Sequence, residues 1–261
     1  MLLIDKRIKM RNIVIVLEYL GTFFSGWQSQ KHCEAIQERV ERAIYEVTGE
    51  HVVVTASGRT DVGVHARGQV ATFNIESNLP CYKIMFGSNF RLAPYISIKE
   101  CYDAEPWFNA RKSAKRKTYC YRIYASPTCS PLRDYTWVQV YKPLDIEKMQ
   151  QAAKYFEGEH DYTAFMAMGS NQKTTVRTIY SLEVKGTPTE IEIYVTGNAF
   201  LYNMVRIIAG TLVYVGQHKI EPTEIPSIIE SKQRNRAAKT FPAKGLTLES
   251  VEYPPHRLNE V

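Results

Sequence analysis

Apolar and polar positions along the chain alternate in two distinct periods. Residues 12–20 are dense in Ile and Val and read as a strand. In residues 35–47, Ile36, Val40, Ala43, Ile44 and Val47 recur at helical spacing with Glu and Arg between them. That spacing predicts an amphipathic helix packed on a sheet. Strand-like segments follow at 51–55 and 69–75, then a weaker helix at 81–92, a turn at Pro94 and a strand at 96–102. Strand, helix, two strands, helix, strand is the order of a sheet with helices on one face.

The second half has similar content. Residues 117–124 alternate as a strand, with Tyr119, Tyr121 and Ile123 on one face. A short strand is expected at 136–141. Asp145 is placed to cap a helix over 146–156, with Gly158 just past its end. Residues 161–170 read as a loop, and 176–185 with 190–196 as a hairpin around 186–189. An apolar helix at 199–215, another helix at 222–231 and a last strand at 246–251 complete the chain. The expected class is α/β of the α+β type: two similar halves, residues 1–109 and 110–261, each an antiparallel or mixed sheet with helices on one face. The change near 108–112 reads as a boundary without a flexible linker.

Composition narrows the setting. With 44% hydrophobic and 23% charged residues over 261 positions, the chain suits an ordinary globular protein with a sizeable core. The 199–215 run is interrupted by Asn203 and Arg206 and is short for a membrane span, so a buried helix and no membrane partner are expected. Residues 1–6 are too few and too charged for a signal peptide, and Met10 offers an alternative start. Five cysteines without C-x-x-C spacing argue against a disulfide framework or a zinc site and for a reducing, cytoplasmic setting. No Walker or Rossmann fingerprint is present, so no cofactor and no metal are expected.

Charge points to a polyanion. The net charge is +6, and residues 106–133 contain no acid but seven basic residues, among them Arg111, Lys117 and Arg122. Tyrosines interleave with them, a pattern suited to an RNA backbone and its bases. A second acid-free run holds Lys232, Arg234, Arg236, Lys239 and Lys244. In the loop after the first strand, Phe23 and Trp27 fit a base-stacking platform or a plug at the core edge equally well.

The candidate chemistry lies in residues 57–66, Ser-Gly-Arg-Thr-Asp-Val-Gly-Val-His-Ala, a loop that brings Arg59, Asp61 and His65 together between two strands. A second signal is Arg206, a guanidinium inside the nearly all-apolar stretch 200–210. Such a cation needs a partner, and Asp61 is the expected one; snorkelling to a phosphate or another acid is the alternative. That pairing is expected to hold the carboxylate ionised.

The string Gly58 to Ala66, with Gly68-Gln69-Val70-Ala71-Thr72-Phe73 after it, resembles the active-site segment of the TruA family of tRNA pseudouridine synthases. Phe200-Leu201 with Met204-Val205-Arg206, Gly26-Trp27-Gln28, residues 175–179 and Ala243-Lys244-Gly245-Leu246 extend the resemblance over residues 13–253. Asn109 and the run Lys239-Thr240-Phe241-Pro242 depart from the family pattern. The resemblance implies sheets joined around a central basic cleft and an isomerase acting on uridines 38, 39 and 40 of the tRNA anticodon arm. It also implies a homodimer. Asp61 takes the catalytic place, with Arg206 and Tyr119 beside it, and Arg59 holds the target nucleotide out of the stack. Lys117, Arg111 and Leu246 complete the implied substrate-binding set. The residues alone do not choose between Tyr119 and Tyr121. Two other classes fit the composition: an RNA-binding protein without chemistry, and a carboxylate-based glycoside or nucleoside hydrolase, for which Asp161 is the candidate second acid.

Overall fold

The computed structural model describes residues 10–28, 33–169 and 172–254. The residue 1–6 segment, part of the 21–32 loop and Ser170 therefore lie outside the described residues.

The N-terminal half contains β1 (Arg11–Tyr19), α1 (Ile36–Thr48), β2 (Thr55–Ala56), β3 (His65–Ile75), α2 (Cys81–Leu92) and β4 (Ile96–Ala104). β1 is antiparallel to β3 on one side and to β4 on the other. Its alternation sorts two buried faces. Ile13, Ile15 and Leu17 share a core with Ile36, Val40 and Ile44 of α1 and Ile84 of α2. Val14, on the opposite face, packs with Val70, Phe108 and Ala110. The Asn12 amide donates to the carbonyls of Glu105 and Phe108, both at 2.8 Å, and ties that covering segment to the sheet.

The second half adds β5 (Arg116–Ala125), β6 (Val138–Val140), α3 (Ile146–Lys154), β7 (Gly158–Asp161), β8 (Val176–Thr187), β9 (Glu190–Gly197), α4 (Met204–Gly216), α5 (Ile225–Ser231) and β10 (Leu246–Glu252). Asp145 caps α3, its carboxylate accepting from the Lys148 amide. α4 is buried nearly all round, as its composition predicts.

The ten strands of the described residues form one sheet. Its main order is β4-β1-β3-β10-β5-β9-β8-β7, with β2 beside β3 and β6 beside β5. The chain's last strand is thus inserted in the middle. Its link to β3 is parallel and short, Thr247 opposite His65 and Leu248 opposite Ala66. Its link to β5 is a full antiparallel ladder. One hydrophobic core runs across the seam.

Several boundaries differ from the sequence pattern. Residues 51–54 are not a strand, although Val52 and Val54 are buried and Val53 is exposed. The Val54 amide is satisfied by the Glu41 carboxylate on α1 instead of by a neighbouring strand. His65 and Ala66 already belong to β3, because Tyr19 of β1 pairs with Ala66 and β10 pairs with both from the far end of the chain, a partner no local pattern reveals. α4 begins at Met204, since Asn203 is in the left-handed region (φ 59°) and breaks the run. β7, held by its ladder to β8, fills the gap before the expected 161–170 loop and ends on that loop's first residue, Asp161.

Candidate active site

The loop between β2 and β3 is braced from four sides. Gln69 on β3 accepts from the Ser57 hydroxyl at 2.6 Å and donates to the Gly58 carbonyl at 2.8 Å. The Tyr19 hydroxyl, at the end of β1, pairs with Thr60 Oγ1 at 2.8 Å. The Trp27 amide donates to the Thr60 carbonyl at 3.0 Å. That close approach requires Gly26: it has φ 87°, and an added Cβ would stand 2.8 Å from the same carbonyl. The Lys117 ammonium on β5 donates to the Ser57 carbonyl at 2.8 Å. Asp61 therefore sits on a backbone fixed by buried polar groups, each with a partner.

His65 belongs to this scaffold and not to the cavity. Its Nδ1 accepts from the Gly21 amide at 2.9 Å, which puts the proton on Nε2, 3.1 Å from the Lys244 carbonyl. Burial pushes its pKa down, so it stays neutral and links the loop to the turn before β10.

The loop borders a cavity of about 730 Å³. Asp61, Arg59, Arg111, Lys117, Tyr119 and Leu246 all line it, so six of the seven expected site residues meet there. Among the described residues, the lining holds four cations, Arg59, Arg111, Lys117 and Arg177, and one carboxylate, Asp61. Arg59 and Arg111 are exposed, and their guanidiniums have no partner among the described residues. Tyr119 is 8% exposed and meets Phe200 edge-on, with ring centres 5.2 Å apart. Tyr121 is fully buried, and its hydroxyl is engaged by the Pro242 carbonyl at 2.7 Å. Position in the fold thus separates two tyrosines that alternation could not. Trp27 is buried and lines the cavity, whereas Phe23 is exposed and packs at a tilt against Tyr95.

Arg206 corrects the expected ion pair. No salt bridge joins it to Asp61; its Nε donates to the Phe241 carbonyl at 2.7 Å and its Nη1 to Asn203 Oδ1 at 2.6 Å. It does not line the cavity. Gly210, one turn further along α4, permits this arrangement: a Cβ there would lie 2.5 Å from the Lys239 carbonyl and 2.7 Å from the Phe241 ring. The segment carrying Phe241 can therefore lie against the helix, within reach of Arg206.

The electrostatics follow. Burial pushes the Asp61 carboxyl above the usual range, and the Arg206 charge opposes that rise without cancelling it. The expected net lowering is reversed because desolvation outweighs a cation that is near but not paired. The carboxylate has no hydrogen-bond donor among the described residues. Lys117 is pushed down to about 8 by burial, with Arg111 adding to the effect. Burial first, then the Tyr19 and Asp61 charges, push the Tyr119 phenol up, so it stays protonated.

Three contributors escaped sequence reasoning. Tyr19 and Gln69 read as strand residues, and their bracing appears only when β1 and β3 pair. Arg177 lies in a string that resembles the family, but nothing in its neighbours signals that it reaches the cavity. Asp161 does not reach it: its carboxylate is bound by Lys232 at 2.8 Å and by the Thr163 hydroxyl at 2.6 Å. Among the described residues no group of His, Cys, Asp and Glu is arranged to hold a metal ion, and no helix is long and apolar enough to cross a membrane.

Residues 152–254 match a family model described as tRNA pseudouridine synthase. A protein of Ruminiclostridium cellulolyticum called tRNA pseudouridine synthase A is 47% identical over 245 residues, 94% of this chain and all of that protein. Proteins of the same name from Acetivibrio thermocellus and Brevibacillus brevis are 46% and 44% identical, again over 94% of this chain and their whole length. Among solved structures, a Cbf5-Nop10-Gar1 complex aligns at a TM-score of 0.36 and 15% identity, over 77% of this chain and 45% of that one.

Proposed function

This chain belongs to the tRNA pseudouridine synthase A family, and on that premise we propose that Asp61 is the carboxylate with which it isomerises uridine to pseudouridine in tRNA. The uridines are those at positions 38, 39 and 40 of the anticodon arm. The observation that carries the assignment is the Asp61 carboxylate, which among the described residues is the one acid of a cavity lined by four cations and is bound to no protein donor.

The chemistry matches those residue types. The bond from N1 of uracil to C1′ of the ribose breaks, the base turns, and C5 bonds to C1′. N1 gains a proton and C5 loses one, so the products balance without redox or energy input. An ionised Asp61 serves either route to that exchange: attack at C1′, as in glycoside hydrolysis, or removal of the C2′ proton to give a glycal-like intermediate. The base must first leave its stack. Arg59, exposed two residues before Asp61, fills the vacated place. Arg111 and Lys117 face the backbone, Leu246 packs against the base, and Tyr119 offers it a ring and a neutral hydroxyl.

The two halves, residues 1–109 and 110–261, act as the walls of the cleft. The active form is a cytoplasmic homodimer, with each anticodon arm touching both copies. The hydrolase alternative has lost its second acid, since Asp161 is committed to Lys232 and Thr163.

The test is chemical mapping of pseudouridine in unmodified tRNA after incubation with the purified protein. Conversion at 38, 39 or 40 is expected. Release of free uracil would identify a hydrolase, and bound but unchanged tRNA would identify a binding protein.

A further inference from the structure

We propose that Arg177 holds a phosphodiester of the bound RNA strand on the wall of the Asp61 cavity. The proposal rests on the reading that RNA enters that cavity.

Arg177 is the second residue of β8 and is only 8% exposed, yet it lines the cavity. Its Nη1 donates to the carbonyls of Thr174 at 3.0 Å and Val176 at 2.6 Å, and its Nη2 reaches Gln172 Oε1 at 3.5 Å. Its buried Nε has no partner among the described residues. None of these contacts is charged, and no carboxylate lies within 4 Å among the described residues.

Arg122 shows how the same fold treats a buried guanidinium that belongs only to the scaffold. It is 5% exposed, and Glu192 and Glu249 balance it, each at 2.8 Å. Carbonyl oxygens satisfy donors but leave the charge uncompensated, which is costly away from water. For Arg177 the missing counter-charge comes from outside the protein. One residue further along, the Thr178 amide donates to Asn198 Oδ1 at 3.1 Å, and the Ala199 amide donates to the same oxygen at 2.7 Å. Both fix Asn198 with its Nδ2 donors unused among the described residues, and Asn198 lines the cavity too. A guanidinium and an amide donor on the lining of one cavity select a singly charged ligand rich in acceptors. In a cavity that receives an RNA strand, that ligand is a backbone phosphate.

The experiment measures tRNA affinity across salt concentrations for the wild type, Arg177→Gln and Arg177→Lys, each checked by a thermal melt. Loss of one phosphate contact lowers the slope of log affinity against log salt by about 0.7–0.9. Arg177→Gln is expected to show that drop, and Arg177→Lys to keep the wild-type slope. In parallel, a neutral methylphosphonate is walked through the linkages flanking the target uridine. At one linkage it weakens the wild type and leaves Arg177→Gln unaffected. If Arg177→Gln does not fold, Arg177→Lys replaces it in the walk: its affinity loss then disappears at that one linkage, and a loss equal at every linkage overturns the proposal. A wild-type slope in Arg177→Gln, with no distinguishing linkage, also overturns it and makes Arg177 a brace for residues 172–176. Conversion of uridine by the wild type in the same preparation separates that outcome from failure of the proposed function.

Discussion

The Lys117 ammonium donates to the Ser57 carbonyl at 2.8 Å, so a cation of the basic strand holds the first residue of the loop that carries Asp61. The position of the loop therefore depends on the side chain that we propose also meets RNA, and that side chain titrates near neutrality. Burial, reinforced by Arg111, brings its pKa down to about 8.

Affinity for tRNA should fall as pH rises through about 8, by roughly tenfold at constant salt, the order of one charge-assisted contact. Lys117→Met should bind more weakly and lose this pH dependence. The stability effect has the opposite sign. The folded state releases this proton at about 8 and the unfolded chain near 10.5, so Lys117 makes stability rise with pH between them. Fluorescence binding titrations and melts at matched pH should thus move in opposite directions. Parallel movement would contradict the assignment.

Asp61→Asn should bind tRNA and lose turnover by at least about a thousandfold, the order seen when a group used in the transition state is removed. It should melt no lower than the wild type at pH 7. The folded carboxyl titrates above its unfolded value, so in its ionised form it weighs against folding. As pH falls through that raised value towards 3.8, the wild type gains stability from this group. Asparagine removes the desolvated charge. Single-turnover assays with paired melts decide; wild-type turnover by a folded variant would remove Asp61 from the chemistry.

Arg206→Gln should move the acid limb of the pH–rate profile to higher pH. The Arg206 charge is what opposes the burial-driven rise of Asp61, so its loss leaves the carboxyl harder to ionise. Loss of the bonds to Phe241 and Asn203 should also cost about 1–3 kcal/mol of stability. An acid limb that stays in place would mean that Arg206 acts on structure alone.

Tyr119→Phe should keep tRNA affinity within about twofold and slow single-turnover conversion by roughly tenfold or more. The ring and its edge contact with Phe200 survive the change; only the hydroxyl is lost. An unchanged rate would confine Tyr119 to stacking.

Local pattern revealed most of the elements, because strands such as β1 and helices such as α1 carry their periodicity in consecutive residues. Six of the expected site residues line one cavity, but pattern alone pointed only to the loop and the basic strand; Tyr119 over Tyr121, and Leu246, entered the set through the family resemblance. What it missed depends on partners distant in sequence. His65 joins a strand because Thr247 stands opposite it, and residues 51–54 fail to pair because Glu41 satisfies Val54. Asp61 and Arg206 were expected to form an ion pair on the strength of opposite charge. Phe241, 35 residues beyond Arg206, is what turns that guanidinium aside.

The insertion of β10 between β3 and β5 bears on synthesis. β3 and β5 leave the ribosome long before residues 246–252, so their adjoining edges wait unpaired through most of translation. Only when the last strand emerges do Thr247 and Leu248 join His65 and Ala66, and only then does Leu246 reach the cavity. A ribosome-stalled chain ending before residue 246 contains the residues of both sheet fragments and of the Asp61 loop, but lacks the strand that joins them. Assembly of the cavity therefore waits for residues 246–252, the strand farthest along the chain from the Asp61 loop it helps to enclose.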